Sequence, residues 1–522
     1  MTSVVSVSGR AGAGEGGVAA ASPDVGLEVL DLRLAPSAAA AWLAAMLVVR
    51  APAACGLGAA IVCAAVAVVV LVAAARGGEP AGPWRFVRAV SPSVALVLLV
   101  AAVTAGAGAA QVGSRESGRW ADLAGAEVVV TGVVGGDPVA LPPAWPGAPA
   151  RESWLLTVES LAPDADPAQA RRVRAPVRVL GPADGGASLG ARVMVVGTVR
   201  DTPRGERPVA LLIADGPARV LARAGPWWRA GETVRSAVQH LARPLTGDAR
   251  ALLPGVTVGD TSGVPADLTD ALRVAGLTHL TAVSGAHFSL VAMLVLAGAG
   301  LVRVPRRARA PVVLAAMAAM VFVVHPSPSV LRAAVMGLVG VWALLLDRPA
   351  RAPAALATSV VVLLVIDPWL AGEVGFALSA LATAGIVVVA QPLAVRWSRW
   401  GRAAATALAV PVAAQLLCAP VIVLLTPSVS LYAVPANLVA GPAVAPATVL
   451  GLAAGVAEPW CHPLGQALAW AAGGACWWIG AVARCAAALP GARTAWLPGT
   501  VGAVVLALAG ICVARLLLRP GR

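Results

Sequence analysis

The sequence is poor in charged residues. Only 12% of its 522 residues are Asp, Glu, Lys or Arg, against about 25% in ordinary soluble domains. It contains no lysine, so all 39 basic residues are arginines, and with 26 acids they give a net charge of +13. We interpret the missing lysine as coding bias. Apolar residues make up 59% of the chain, which excludes a soluble enzyme, a disordered chain and a collagen-like fibre and indicates a multi-span membrane protein.

Motifs for metal, disulfide and nucleotide chemistry are also missing. The seven cysteines lie in or beside apolar runs, and no CxxC or Cys/His ligand cluster occurs. The sequence therefore predicts no zinc site and no disulfide framework. No GxxxxGK[ST] phosphate loop is present, so any energy source is expected to be external. We expect no cofactor and no enzymatic activity.

The chain divides into five parts by composition. Residues 1–33 are rich in Gly, Ala and Ser, without the features of a signal peptide, and are expected to be a flexible tail. Residues 34–112 are predicted to form three N-terminal transmembrane helices. Residues 113–225 contain five short β-type runs between Pro/Gly-rich turns, which favours a small closed barrel such as the OB-fold. Residues 226–279 are a linker with an amphipathic segment, and residues 280–522 are a second transmembrane domain.

The apolar runs predict a polytopic α-helical membrane protein of about twelve spans with an inserted all-β, OB-like extracytoplasmic domain. The predicted spans are 36–49, 53–75, 89–112, 280–302, 311–324, 328–346, 352–366, 373–391, 403–425, 434–456, 464–489 and 500–518. With a cytoplasmic N-terminus, this count places every arginine-rich connection on the cytoplasmic side and the β-domain outside. The C-terminus is then cytoplasmic as well.

The densest polar cluster of the sequence lies at the entry to the span at 280–302. Ser284 and His287 are three residues apart, so in a helix they share one face, and two interpretations remain open. They line a passage, or they form hydrogen bonds with another helix. A Ser–His nucleophile is disfavoured because the sequence offers no nearby orienting acid beyond Asp260, Asp267 and Asp270. Metal binding by His279 and His287 is disfavoured because their spacing matches no known ligand pattern.

Arg332 stands inside an apolar span, where burial of a guanidinium costs about 2.5–3.5 kcal/mol. Such a group requires an anion. A passing phosphate would serve, and so would a structural ion pair with Asp367 or Glu373. Ser379, Gln415 and Asn437 also lie inside apolar runs, and helix–helix hydrogen bonding is the simplest interpretation of each.

The β-domain lacks the features of a strong nucleic-acid binder. Between Gly113 and Glu232 the sequence has 14 arginines and 13 acids, a balance that provides little attraction for a polyanion. Trp145 and Trp154 are its two aromatic residues between Leu123 and Leu221, whereas single-strand binders stack several bases on aromatic rings. Any contact with DNA is expected to be weak or guiding.

Several motifs together resemble one family. The segment Gly276–Val291, GLTHLTAVSGAHFSLV, resembles the signature of the ComEC family of DNA-internalisation proteins. Three further elements agree in order and approximate spacing: SVLRA at 329–333, DP at 367–368 with GFALS at 375–379, and Gln415 with PANL at 435–438. The resemblance extends over about residues 36–518.

This resemblance implies an inner-membrane channel that admits one strand of DNA to the cytoplasm, with the external barrel at its mouth. The candidate channel residues are His279, Ser284, Gly285, His287, Arg332, Ser379, Gln415 and Asn437. The residues that support the motifs are Gly259, Asp260, Gly276, Asp367, Gly375 and Phe376.

The resemblance also implies partners: single-stranded DNA, membrane lipid, a DNA receptor, a cytoplasmic ATPase or helicase, and a homo-oligomeric copy. Many family members carry a metallo-β-lactamase-like domain. No HxHxDH motif occurs among the five histidines, so we expect any nuclease to be a separate protein. Two other interpretations remain open, a secondary transporter of a small anion and an intramembrane Ser/His enzyme.

Overall fold

The computed structural model describes residues 32–76, 84–116, 118–141, 143, 145–163, 170–183, 188–281, 285–326, 328–345 and 352–519. The flexible tail predicted for residues 1–33 lies almost entirely outside these residues.

Three helices precede the β-domain, as the apolar runs predict: α1 Ala35–Val48, α2 Ala53–Arg76 and α3 Trp84–Glu116. Small residues hold α2 and α3 close to α1. A Cβ on Gly56 or Gly108 would lie 2.4 or 2.5 Å from a methyl group of Val48, so neither position has space for a larger side chain. Close approach through glycine is a common way for helices to pack in membranes, where burial from water drives little association.

The β-domain contains seven strands: β1 Glu127–Val134, β2 Val139–Leu141, β3 Arg151–Pro163, β4 Arg171–Pro182, β5 Arg192–Asp201, β6 Ala210–Ala214 and β7 Arg219–Ala222. Five of them form a closed ring, in which β1 pairs with β3, β3 with β4, β4 with β6, β6 with β5 and β5 with β1. All of these pairs are antiparallel except β4–β6, which is parallel. The short β2 and β7 extend the edges of β3 and β5.

Alternation along the ring strands produces the barrel core. On β1 the residues alternate between buried and more exposed, and β3 and β5 show the same pattern over most of their length, because successive side chains of a strand point to opposite faces. Val128, Leu156, Val177, Val193 and Leu212 are all completely buried. The five β-type runs of the sequence, 126–134, 153–160, 173–180, 191–200 and 208–221, lie on β1, β3, β4, β5 and the pair β6 and β7, respectively, and β2 was not predicted.

The described residues after the barrel are mostly helical, with one short antiparallel pair of strands, β8 Ser428–Val429 and β9 Thr494–Ala495. The helices are α4 Pro226–Ala242, α5 Gly247–Val258, α6 Ala266–Val274, α7 Gly285–Leu301, α8 Arg306–Val324, α9 Pro328–Leu345, α10 Ala352–Ile366, α11 Val374–Gly385, α12 Gln391–Arg396, α13 Arg402–Leu425, α14 Ala433–Ala457, α15 His462–Ala488 and α16 Gly499–Leu518. A π-helical turn, Ile386–Ala390, joins α11 to α12 without a break.

Within the part of the chain that the structure describes, seven helical segments are long and apolar enough to cross a membrane: Ala53–Ala75, Ser91–Leu123, Arg307–Val324, Val374–Arg396, Arg402–Leu425, Ala433–Ala457 and Gly499–Leu518. Shorter apolar helices are Ala35–Val48, His287–Leu301, Val330–Val339 and Ala352–Ile366. The chain is therefore a mostly helical multi-pass membrane protein with a β-domain in its N-terminal part.

The segment predicted as a linker, residues 226–279, folds into α4, α5 and α6, and these pack against α14 and α15. Leu241, Leu252, Leu268, Ala440 and Ile479 are completely buried in their shared core. Such a core is typical of a helical bundle that excludes water on its inner side.

The barrel contacts the helical block through one ion-paired group near α10. Arg207, in the β5–β6 loop, pairs with Asp367, and its second terminal nitrogen lies 3.7 Å from Glu373. The Arg115 guanidinium at the end of α3 lies 3.1 Å from the ring centroid of Trp369 and donates to the Arg207 carbonyl oxygen at 2.7 Å. Both arginines thereby connect the barrel to the connection between α10 and α11.

A second barrel contact involves the turn between β1 and β2. The Asp137 carboxylate lies 2.7 Å from His325 Nδ1, just after α8, and accepts a hydrogen bond at 3.1 Å from Arg235 of α4. Nearby, a Cβ on Gly190 would lie 2.7 Å from the ring of Trp228. The first half of α4 is therefore next to the barrel.

Helix α4 also reaches the connection between α14 and α15. His240 lies five residues after Arg235, and its Nδ1 is 3.3 Å from Glu458. A helix rises about 1.5 Å per residue, so these five residues cover about 7.5 Å, against about 30 Å for the hydrocarbon layer. The distance from the barrel to Glu458 and His462 is consequently much smaller than the thickness of the hydrocarbon layer.

Candidate functional site

Arg332 of α9 is the centre of a buried polar cluster. Its side chain is 5% exposed. Nε donates to Ser379 Oγ at 2.8 Å, Nη2 donates to the same oxygen, and Nη1 donates to Thr383 Oγ1 at 2.7 Å. The Thr383 hydroxyl in turn donates to the Ser379 carbonyl at 2.9 Å. The hydroxyls of Ser379 and Thr383, one turn apart on α11, thus both accept from one guanidinium.

Every hydrogen-bond partner of Arg332 that the structure describes is uncharged, the remaining one being the Met336 sulfur at 3.3 Å. Of the two alternatives for Arg332, the structural ion pair with Asp367 or Glu373 is wrong, because both carboxylates face Arg207 of the barrel. Hydroxyl groups solvate a cation but leave its charge in place. A phosphate oxygen would therefore find an uncompensated positive charge here.

The start of α7 lies against this cluster. A Cβ on Gly285 would stand 3.8 Å from Arg332 Nη2 and 3.7 Å from the Ala333 side chain. His287, two residues later, is 3% exposed. Ser284 lies outside the described residues. The signature segment and Arg332 are thus neighbours, although Arg332 and His287 are both enclosed by protein in this conformation.

A second group lies around the turn between α6 and α7. Asn437 of α14 donates through Nδ2 to the carbonyl oxygens of Gly276, at 3.3 Å, and Ala433, at 2.8 Å. Gly276 has a φ of +68°, and a Cβ there would lie 2.7 Å from the Ala433 Cβ. Asn437 therefore links α14 to the turn at the start of the signature segment, and not to a second helix as the sequence suggested.

The other predicted residues are dispersed. His279, beside the Gly276 turn, is exposed. Gln415 is partly exposed on α13. Gly375 is exposed, whereas Phe376 is completely buried and stacks on Trp42 of α1 with ring centroids 4.9 Å apart. Phe376 is accordingly a packing residue.

Gly259 and Asp260 lie at the end of α5. Gly259 has a φ of +77° and terminates the helix. Asp260 accepts from Gln239 at 2.6 Å and from the backbone and hydroxyl of Ser262. Burial acts to raise the pKa of Asp260, but these hydrogen bonds and the Arg235 charge hold it below 3.8. Gly259 and Asp260 thus belong to the region around Arg235.

Sequence reasoning did not identify the charged group between the barrel and the helices. Asp137, Arg235 and His325 come from positions up to 188 apart. Burial acts to raise the pKa of Asp137, but the hydrogen bond from His325 and the charge of Arg235 hold it below its ordinary 3.8. Arg235 also donates to the Val258 carbonyl at 2.8 Å. The carboxylate therefore stays ionised and links α4, α8 and the barrel.

The barrel surface has a local concentration of positive charge that the overall balance does not reveal. Arg172, Arg174 and Arg178 lie on the outward face of β4 and are exposed. None of the described ion pairs includes them. Arg178 pairs in register with Leu211 of β6, which pairs in turn with Arg200 of β5. We call Arg172, Arg174 and Arg178 the β4 arginine stripe.

Comparison with known proteins gives one finding. A family model described as Competence protein matches residues 256–521. These residues include α7, α9, α11 and α14, and therefore both the Arg332 cluster and the Gly276 turn. No curated protein and no solved structure matches the chain.

Proposed function

This chain belongs to the Competence protein family, and from that premise we propose that it is the membrane channel through which single-stranded DNA enters the cytoplasm during transformation. The family supports a role in DNA uptake. The Arg332 cluster is the observation that supports the channel, because it places an unpaired charge among weak neutral ligands inside the membrane block.

The ligands of Arg332 suit conduction. A strand of DNA must bind strongly enough to enter and weakly enough to leave. A carboxylate partner would compete strongly with each phosphate, whereas the Ser379 and Thr383 hydroxyls can be exchanged for phosphate oxygens with little net loss of hydrogen bonding. Because Arg332 is enclosed here, we propose that this conformation is closed and that α9 or α11 moves when DNA enters.

We propose that the barrel is an OB-fold. If the five ring strands β1, β3, β4, β5 and β6 are numbered 1 to 5 in chain order, their order around the ring is 1-2-3-5-4-1, and the third and fifth strands are parallel. This connectivity is that of a five-stranded Greek-key barrel that binds oligonucleotides in many proteins. The β4 arginine stripe supplies a surface that attracts phosphates without reading sequence. The barrel would then guide the strand to the helices.

We also propose an orientation. A cytoplasmic N-terminus places the barrel outside and the arginine-rich connections around Arg303, Arg396 and Arg519 inside. The close approach of His240 to Glu458 favours ten crossings rather than the twelve that the apolar runs predict, with α14 and α15 forming a hairpin on the side of the barrel. If α14 and α15 do not cross the membrane, two adjacent crossings are removed together, so every arginine-rich connection stays on the same side of the membrane.

The test is DNA import in a transformable host lacking its own gene of this family. Cells that express this chain should take up labelled DNA into a nuclease-protected cytoplasmic pool and yield transformants. Import of a small anion without DNA would support a transporter, and labelling by a serine-reactive probe would support an enzyme. Either result with no DNA import contradicts the proposal. Partners to be sought in the same cells are a DNA receptor and a cytoplasmic ATPase or helicase.

A further inference from the structure

Three metal-ligating side chains meet where α4 ends and where α14 turns into α15. The Glu458 carboxylate lies between two imidazoles: His240 Nδ1 is 3.3 Å from Oε1, and His462 Nδ1 is 2.8 and 2.9 Å from its two oxygens. The ligand atoms of the three residues all lie within 4.8 Å of one another. Both histidines are exposed, whereas the Glu458 side chain is 14% exposed.

The neighbouring backbone holds this arrangement in place. A Cβ on Gly465 would lie 2.9 Å from Glu458 Oε2, so the absence of a side chain there leaves space for the carboxylate. Gln466 donates to the Leu241 carbonyl at 3.3 Å, which fixes the end of α4 beside the first turn of α15. The three ligands thus come from three elements that are packed together independently of any ion.

We propose that His240, Glu458 and His462 bind a divalent transition-metal ion of the zinc class. Two imidazoles and one carboxylate are a common ligand set for zinc, with one position left for water. Bonds of about 2.0–2.1 Å in a tetrahedron place ligand atoms about 3.3–3.4 Å apart, close to the separation of His240 Nδ1 and Glu458 Oε1. Small outward rotations of the exposed imidazoles complete the geometry.

Such an ion would join the helix that follows the barrel to the α14–α15 hairpin. His240 lies on the same helix as Arg235, which contacts Asp137 of the barrel. With the metal bound, α4 would be held against the barrel by Arg235, near its middle, and against the hairpin by His240, near its C-terminal end. This role concerns the assembly of the protein and does not depend on what passes through the membrane.

The experiment uses the full chain purified in detergent, stripped with a chelator and then titrated with Zn²⁺, Mg²⁺ or Co²⁺. We expect one tightly held Zn²⁺ per chain by elemental analysis, a rise of several degrees in the unfolding temperature with Zn²⁺ but not Mg²⁺, and visible absorption typical of tetrahedral Co²⁺. Wild-type protein that retains no zinc and shows no shift overturns the proposal without the need for any variant.

Variants identify the ligands. His462→Ala and Glu458→Gln should lose the bound zinc and the stabilisation by Zn²⁺. Cys461→Ser is the matched control, because this exposed thiol adjoins His462 but lies outside the group, and it should retain both. Zinc that persists in His462→Ala, or that is lost in Cys461→Ser alone, assigns the ion to other ligands and overturns the proposal.

Discussion

Asp367, which follows α10, pairs with Arg207 of the barrel. The same carboxylate accepts a hydrogen bond at 3.2 Å from the backbone N–H of Trp369 and so caps the short turn before α11. The DP element therefore connects the barrel to the membrane block, and Arg332 depends on the hydroxyls of α11 instead. Asp367 is thus a structural residue, whereas Arg332 has only uncharged hydrogen-bond partners among the described residues.

Replacing Arg207 with alanine should weaken the attachment of the barrel. Partly exposed ion pairs contribute about 0.2–1 kcal/mol, so we expect a loss of unfolding free energy in this range. A double-mutant cycle with Asp367→Asn, read by chemical denaturation in detergent, should give a coupling energy of the same size. Arg204→Ala, in the same loop and exposed, is the control. Additive effects of the two substitutions would contradict the pairing.

Arg332→Ala should reduce DNA import by at least about tenfold. A hydrogen bond to a charged group is worth about 1.5–3 kcal/mol, which corresponds to roughly ten- to hundredfold in rate or affinity. His287→Ala, in the helix beside it, should lower import as well. Membrane abundance is measured in parallel to exclude failed insertion, and exposed Arg399 provides an arginine control. Wild-type import by a normally inserted Arg332→Ala protein would exclude this residue from the passage.

The Arg332 cluster was predicted in part. An arginine and a serine inside apolar runs are detectable because their burial is costly, and both are in the cluster. Thr383 was overlooked, although it lies four residues after Ser379 and hence on the same face of a helix. The choice between hydroxyls and carboxylates as partners depends on which helices are adjacent. Spacing along the chain contains no such information.

The two groups of charged residues outside that cluster were beyond prediction for a related reason. Asp137 lies in the turn between β1 and β2, but its partner His325 is 188 residues away. Glu458 and His462 are four residues apart, but His240 is 218 residues from Glu458, so two residues of this group alone do not reveal the third. By contrast, the barrel strands were predictable because their alternation is local. Pairwise contacts between distant elements arise from packing, which composition and periodicity do not determine.

Gly276→Ala should destabilise the protein, by about 1–3 kcal/mol. The positive φ alone costs a non-glycine residue about 1 kcal/mol, and the new Cβ would lie 2.7 Å from that of Ala433. Gly375→Ala is the matched control within the motifs, since nothing lies within 4 Å of its Cβ position and alanine favours a helix. Thermal unfolding of both variants is the measurement. Equal stability of the two would show that the turn adapts freely.

Acidification should release the Asp137 contact only at low pH. The folded-state pKa of Asp137 is below its ordinary 3.8, so its ionisation stabilises the folded state above pH 3.8, and this contribution is lost as the pH falls through the depressed value. The difference in unfolding free energy between wild type and Asp137→Asn should therefore decrease as the pH falls below about 4. Only this acidic range is compared, because His325 and Glu232 lie beside Asp137 and are coupled to its charge. A difference that grows as the pH falls below about 4 would contradict this assignment.

Replacing all three residues of the β4 arginine stripe with alanine should weaken binding of single-stranded DNA without changing sequence preference. Phosphate contacts are electrostatic, and each one adds about 0.7 to the slope of log affinity against log salt concentration for single strands. Loss of three contacts should reduce that slope by about 2. The full chain in detergent is titrated with fluorescent oligonucleotides at several salt concentrations. Arg119→Ala combined with Arg192→Ala is the control, because Asp122 and Glu159 already pair with these exposed arginines. An unchanged slope in the triple variant would show that the outward face of β4 does not contact the strand, and the barrel would then have to guide DNA through another surface.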